Sequence, residues 1–175
     1  HVVGLRIERA TSISELKAAA GDMGDLIRSL YSQGVKVRFA MDLLAALNKR
    51  LMSKLFNLVV PESVLPHVCL VVMGSEGRGE QIVKIDQDNG LIMRDSLDWP
   101  ECQETMERYT KALVDLGFPK CPGQVMVNNP FWVQPISAWT QRMRDWVAKA
   151  DNDSLLNLSI SMDAYPVAGN KALFK

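Results

Sequence analysis

The hydrophobic period of this chain changes once, near residue 66, and that change restricts the folds open to it. Before it, apolar residues return every three or four positions, the spacing of a helix with one buried stripe. Leu16, Ala20, Met23, Ile27 and Leu30 form the first series, opened by the capping-box pair Ser12 and Glu15 and closed by Gly34. A second helix is predicted over residues 37–59, with Phe39, Leu43, Leu47, Leu51, Leu55 and Leu58 on one side and Pro61 beyond its end. The first 60 residues therefore read as two long helices packed as a hairpin. After Pro66 the run His67-Val68-Cys69-Leu70-Val71-Val72-Met73 is short, apolar and rich in β-branched residues, as in a buried strand.

The later segments alternate between both kinds of element. A second strand is predicted over residues 85–93. Asp98-Trp99-Pro100-Glu101 reads as a helix start, with an Asp cap and Pro in the first turn. That helix turns Met106, Tyr109, Leu113 and Leu116 inward and stops at Gly117. A loop follows around Val125-Met126-Val127, then a helix over residues 136–150 with Trp139, Met143 and Trp146 as a packing stripe. Residues 155–167 fit helix and strand equally well. The expected fold class is α/β (α+β). Residues 1–62 are expected to form a helical hairpin or adaptor, and residues 63–175 an α/β domain with a small mixed sheet.

Charge narrows the partners. Twenty basic residues balance twenty acidic ones, whereas a grip on long nucleic acid normally brings a basic excess. No apolar run approaches the roughly 20 residues that span a bilayer, and no signal peptide is visible. The chain begins at His1 without an initiator Met, as expected of an excised part of a longer polypeptide. Cys69, Cys102 and Cys121 are odd in number and lack CxxC spacing, which points to reduced thiols and a cytoplasmic protein. His67 and Cys69 alternate on one strand face, but two ligands do not complete a zinc site.

The segment richest in chemistry lies between the two strands. Asp86 and Asp88 are one residue apart, so on a strand both carboxylates share a face. Two such charges repel, and a divalent cation such as Mg²⁺ or Mn²⁺ between them relieves the conflict. Ahead of them, Gly74-Ser75-Glu76-Gly77-Arg78 leaves the first strand. Gly74 and Gly77 let backbone N–H groups approach a phosphate, Ser75 adds a hydroxyl, and Arg78 adds a planar cation. Strand, Gly-Ser turn and Asp-x-Asp together are far more specific than either half. Three rival motifs fail. Glu80 and Gln81 stand where a Walker A loop needs Lys and Ser or Thr. The glycines fall at 74, 77 and 79, outside GxGxxG. An EF-hand starting at Asp86 would need Gly at position 91 and Glu at 97, where leucines stand.

The stretch GSEGRGEQ…DQDN, residues 74–89, resembles the nucleotidyltransferase domain of the polymerase-β-like superfamily. More closely it is similar to the nucleotidyltransferase family related to the N-terminal region of protein-PII uridylyltransferase. The likeness extends over residues 68–169, through Cys121-Pro122-Gly123, Asn129-Pro130, Trp132, Trp139 and Leu155-Leu156-Asn157 to Asp163. It implies a polymerase-β-like core in which Asp86 and Asp88 hold Mg²⁺ or Mn²⁺, Gly74 and Ser75 hold the β- and γ-phosphates of an NTP, and Asp163 is the third carboxylate. It further implies transfer of a nucleoside monophosphate, UMP by analogy, to an acceptor hydroxyl such as a tyrosine of a regulatory protein, with release of pyrophosphate. Such domains often adjoin CBS-pair or cyclic-nucleotide-binding domains in bacterial signalling proteins. Two positions depart from the pattern: Gly79, where relatives carry a basic residue, and Tyr165, where they carry Arg. These losses motivate an alternative, a nucleotide-sensing regulatory module with little or no turnover.

Overall fold

A computed structural model describes residues 2–73 and 87–174. Within them lie six α-helices and a four-stranded mixed sheet, an α+β arrangement. Helix α1, Val2–Arg9, precedes the two long helices α2, Ile13–Ser32, and α3, Val37–Val59. The N-terminal unit is thus three helices rather than a hairpin alone. α1 escapes notice in the sequence because it is short and carries Gly4 near its middle. A Cβ there would stand 2.6 Å from the Arg50 guanidinium, which would have to move aside. Arg50 in turn reaches Glu8 at 2.7 Å, and Lys54 donates to the Glu8 carbonyl, tying α1 onto α3.

α2 starts as its caps dictate. The Ser12 hydroxyl accepts from Glu15 N, while the Glu15 carboxylate accepts from Thr11 N at 2.9 Å, one residue earlier than in a standard capping box. Leu16, Ala20, Met23 and Ile27 are buried, and Gly34 closes the helix with φ +78°. On α3 the expected face is displaced. Leu47, Leu51 and Leu55 are buried as predicted, but Phe39 is 59% exposed and Leu58 36%. The inward stripe uses Ala40, Leu44, Asn48, Met52 and Phe56 instead. This row is offset by one residue, roughly 100° around the axis, from the predicted one; the core takes it from Ala40 to Phe56, while the predicted row turns outward at Phe39 and Leu58.

Strand β1, Val68–Val72, is central; it pairs antiparallel with β2, Asn89–Met93, and with β4, Tyr165–Gly169. A short β3, Val133–Pro135, pairs parallel to β2 and gives the order β3-β2-β1-β4. Its three residues carry no readable period. Helix α4, Cys102–Asp115, begins after Glu101, so Asp98 does not cap it and Pro100 lies in the turn ahead. Its inward residues Met106, Tyr109 and Leu113 are those expected. α5, Ile136–Lys149, follows β3 directly, with Ser137 N donating to Asp95. The ambiguous stretch resolves into both alternatives: α6, Asn152–Met162, capped by Asp151, and then β4.

β1 is buried on both faces, and its alternation divides the interior. Val68, Leu70 and Val72 face the core that includes α1–α4, where Tyr109 donates to the Met52 carbonyl and packs edge-on against Phe56. Cys69, Val71 and Met73 face a smaller cluster with Met126, Trp132 and Trp146. Two glycines are required by close approach. At Gly90 a Cβ would fall 2.2 Å from the Met73 Cε, and at Gly169, φ +77°, 2.3 Å from the Val68 oxygen.

Gly169→Ala combines a left-handed backbone with a clash against main chain. It should destabilise by about 2 kcal/mol or more, read as a lower urea midpoint at unchanged slope. Burial pushes the Cys69 thiol up to about 11, with Lys171 opposing part of the rise. The folded state therefore retains a proton that the unfolded chain releases from its ordinary value of 9.0. Stability from this group is complete below pH 9 and is lost as pH rises towards 11. Cys69→Ala should flatten that decline in urea titrations taken across the alkaline range.

Candidate active site

The sheet gathers the acidic residues at one end. Asn89 pairs with Val72 on one flank of β1, and Tyr165 pairs with Val72 on the other. Asp88 is the residue just before β2; its carbonyl accepts from Met73 N at 2.8 Å. Asp163 is the C-cap of α6, two residues before β4. Both acids thus stand where β1 ends, on opposite sides of it, with backbones about two strand spacings or roughly 10 Å apart. Both are half-buried. The expected strand placement is corrected for Asp88, which lies at the strand entrance rather than within it. Gly74, Ser75, Gly77, Arg78 and Asp86, the other predicted site residues, lie outside the described residues, as does Gly79.

Two buried amides hold Asp88 in place. Gln87 is fully buried; its main-chain N donates to Pro119 O at 2.8 Å and its Nε2 to the Thr110 and Phe118 carbonyls at 3.1 and 3.2 Å. On its other side, Asn89 Oδ1 accepts from Val127 N at 2.8 Å, and Asn89 N donates to Val125 O at 3.0 Å. Strand alternation sends Gln87, Asn89 and Leu91 towards the helical core and Asp88 to the opposite face. There the Cys121 thiol donates a hydrogen bond to the Asp88 carboxylate. Burial first, and then that hydrogen bond, push the Cys121 thiol above its ordinary value, so it stays protonated as a donor.

Gln87, Asn89 and Cys121 are site residues that the sequence analysis left without roles. A signal for the amides was present. When Asp-x-Asp enters a buried strand, the intervening and following residues must face inward, and a buried amide demands partners. Cys121 had none, because its link to Asp88 spans 33 positions and depends on the loop over residues 119–127.

Beside the acids is a cavity of about 680 Å³. Val71, Met73 and Ile92 line it from the sheet, Trp139 and Met143 from α5, and Ala164 from the α6–β4 junction. It occupies the face of the sheet towards which Asp88 points. Trp139 is fixed there by donation from its Nε1 to the Leu91 carbonyl at 3.0 Å.

The donors suit a hard cation. Asp88 and Asp163 offer carboxylate oxygens, the ligands that Mg²⁺ and Mn²⁺ prefer. Among the described residues, no three His, Cys, Asp or Glu side chains cluster as a metal site.

The family model described as "Putative nucleotidyltransferase DUF294" matches residues 21–153, more than half of the chain. The chain belongs to this family. Its matched region begins inside α2, ends in the first turn of α6, and takes in α3, β1, β2 and Asp88, while Asp163 lies beyond it. The polymerase-β-like α+β expectation and the family resemblance are thus met for this DUF294 domain. No curated protein and no solved structure matches it. Among the described residues, no helix is long and apolar enough to cross a membrane.

Replacing Asn89 with Ala leaves the buried Val127 N–H without its acceptor. The cost should be about 1–3 kcal/mol, measured by urea unfolding.

Proposed function

We propose that this domain is a divalent-metal-dependent nucleotidyltransferase that moves a nucleoside monophosphate from an NTP to an acceptor hydroxyl and releases pyrophosphate. The observation that carries the reading is the convergence of Asp88 and Asp163 at the end of β1, on a chain of this family. In this reading Asp86, Asp88 and Asp163 hold Mg²⁺ or Mn²⁺, and Gly74, Ser75, Gly77 and Arg78 receive the phosphates. A bound divalent ion supplies charge neutralisation at the phosphates and a lowered pKa for the attacking hydroxyl.

The chain's own groups do the positioning. Gln87 and Asn89 fix the backbone on either side of Asp88, so its carboxylate is aimed before ligand arrives. Cys121 hydrogen-bonds that carboxylate and restrains its rotation. On the cavity side Met73, Trp139 and Met143 present apolar surface. By analogy with protein-PII uridylyltransferase, UTP is one nucleotide the site would accept, and the acceptor is a hydroxyl on a regulatory protein. Residues 1–62 serve as a helical adaptor to residues 63–175, in a cytoplasmic bacterial signalling protein with CBS or cyclic-nucleotide-binding domains.

The alternative is a nucleotide-sensing module without turnover, motivated by Gly79 and Tyr165. One contact favours the enzyme instead. Lys49 from α3 places its Nζ 4.3 Å from the centre of the Tyr165 ring, so a cation stands beside the position where relatives carry Arg.

The test is incubation with each labelled NTP, Mg²⁺ and candidate acceptor proteins. Asp88→Asn should lower label transfer by at least about a hundredfold, beyond the 10–100-fold usual for losing a supporting group. Metal-dependent nucleotide binding with no transfer by the unsubstituted protein would replace the enzyme reading with the sensor.

A further inference from the structure

We propose that the 680 Å³ cavity between the sheet, α5 and the α6–β4 junction receives the base and sugar of the nucleotide, and does so with little preference among bases. This inference rests on the nucleotidyltransferase reading and adds to it the location of the nucleoside.

Three observations carry it. The first is position. Met73, which lines the cavity, is the strand neighbour of Asp88, and Ala164, which also lines it, follows Asp163 in the chain. A triphosphate held near those acids has its nucleoside end beside the cavity. On the opposite face of the sheet the strand side chains pack into the helical core, so this face offers the room nearest the acids among the described residues.

The second is size and chemistry. The volume falls within the roughly 300–1,000 Å³ typical of small-molecule sites. The lining is mainly apolar, with Val71, Ile92, Met143 and Leu173 around the Trp139 ring. A nucleobase has flat apolar faces and gains from stacking on an aromatic side chain, whichever base it is. Trp139 is already oriented by its bond to Leu91 O, so its ring needs no reorganisation.

The third is the shortage of groups to read a base edge. The polar side chains on the lining are Thr140 and Ser161. Thr140 already donates to the Ile136 carbonyl, whereas the Ser161 hydroxyl is buried without a hydrogen-bond partner, so a single side-chain group on this lining remains to meet a base edge. Discrimination between bases needs placed donors and acceptors, and this lining offers almost none. Stacking therefore sets affinity and leaves base identity nearly unread.

The experiment measures binding of UTP, ATP and inorganic tripolyphosphate in the presence of Mn²⁺, by calorimetry on the full chain. Two variants fill the cavity from α5: Thr140→Trp, at an exposed helix position, and Met143→Trp. Thermal melts establish that both fold. The unsubstituted protein should bind UTP and ATP within about threefold of each other, far short of the 10⁴-fold contrast that hydrogen-bonded readout gives. Each variant should lose nucleotide affinity by roughly ten- to a hundredfold, the range of one lost base stack, while tripolyphosphate binds as before.

If tripolyphosphate binds but filling the cavity leaves nucleotide affinity intact, the nucleoside lies elsewhere; the proposal fails and the nucleotidyltransferase reading survives. Equal loss of nucleotide and tripolyphosphate would likewise overturn it, by placing the effect at the phosphates. A strong preference for one base would overturn the unread base edge. Failure of the unsubstituted protein to bind either class with Mn²⁺ would remove the proposal together with the reading beneath it.

Discussion

β1 is the constraint on which the rest of this structure depends. It has five residues, two antiparallel neighbours, and no exposed face. Because it is central, both flanking strands meet it at the same end, and residues 75 positions apart are brought to either side of that end. Because both faces are covered, every side chain on it must be apolar, and the helices must lie on one side while α5 and the tryptophans lie on the other. The placement of Asp88 and Asp163 follows from pairing register, which a shift of one residue would reverse in facing.

Polar groups next to this strand find their partners on the side away from the acids, although the Gln87 Oε1 is buried without one. Gln87 and Asn89 are each about as buried as the leucines around them, yet together they engage Thr110, Phe118 and Val127. An unpaired amide in such surroundings would cost about 1–3 kcal/mol. These contacts also bind the loop over residues 119–127 to the strand entrance, and that loop carries Cys121 to Asp88. Core satisfaction and carboxylate orientation are thus one set of bonds. The same side-chain alternation that buries the amides sends the carboxylate outward to the thiol.

Most of the fold was legible wherever a segment was long enough to show its period. The extent of α3, the β1 run and the inward residues of α4 are each encoded locally. Legibility failed for three physical reasons. α1 and β3 are too short to display periodicity, at eight and three residues. Phe39 and Leu58 are apolar but exposed, since tertiary packing, unlike composition, decides which face meets the core. Residues 155–167 held two elements, so one average pattern described neither. At the site, Asp88 and Asp163 were readable as chemistry, but the cavity and the Cys121 contact arise from tertiary closure and have no local signature.

The two faces of the sheet divide stability from ligand contact. On the helical face the strand side chains pack into the main core. On the other face Gly90 removes a side chain, Met73 lies over it, and a cavity remains between the strands and Trp139. Acids at the end of that cavity add charge where packing is already incomplete. A ligand that needs both acids and the cavity finds them only in the folded chain, so its binding free energy adds directly to stability. The cavity side of this fold is therefore the side on which occupancy by a ligand has most to contribute.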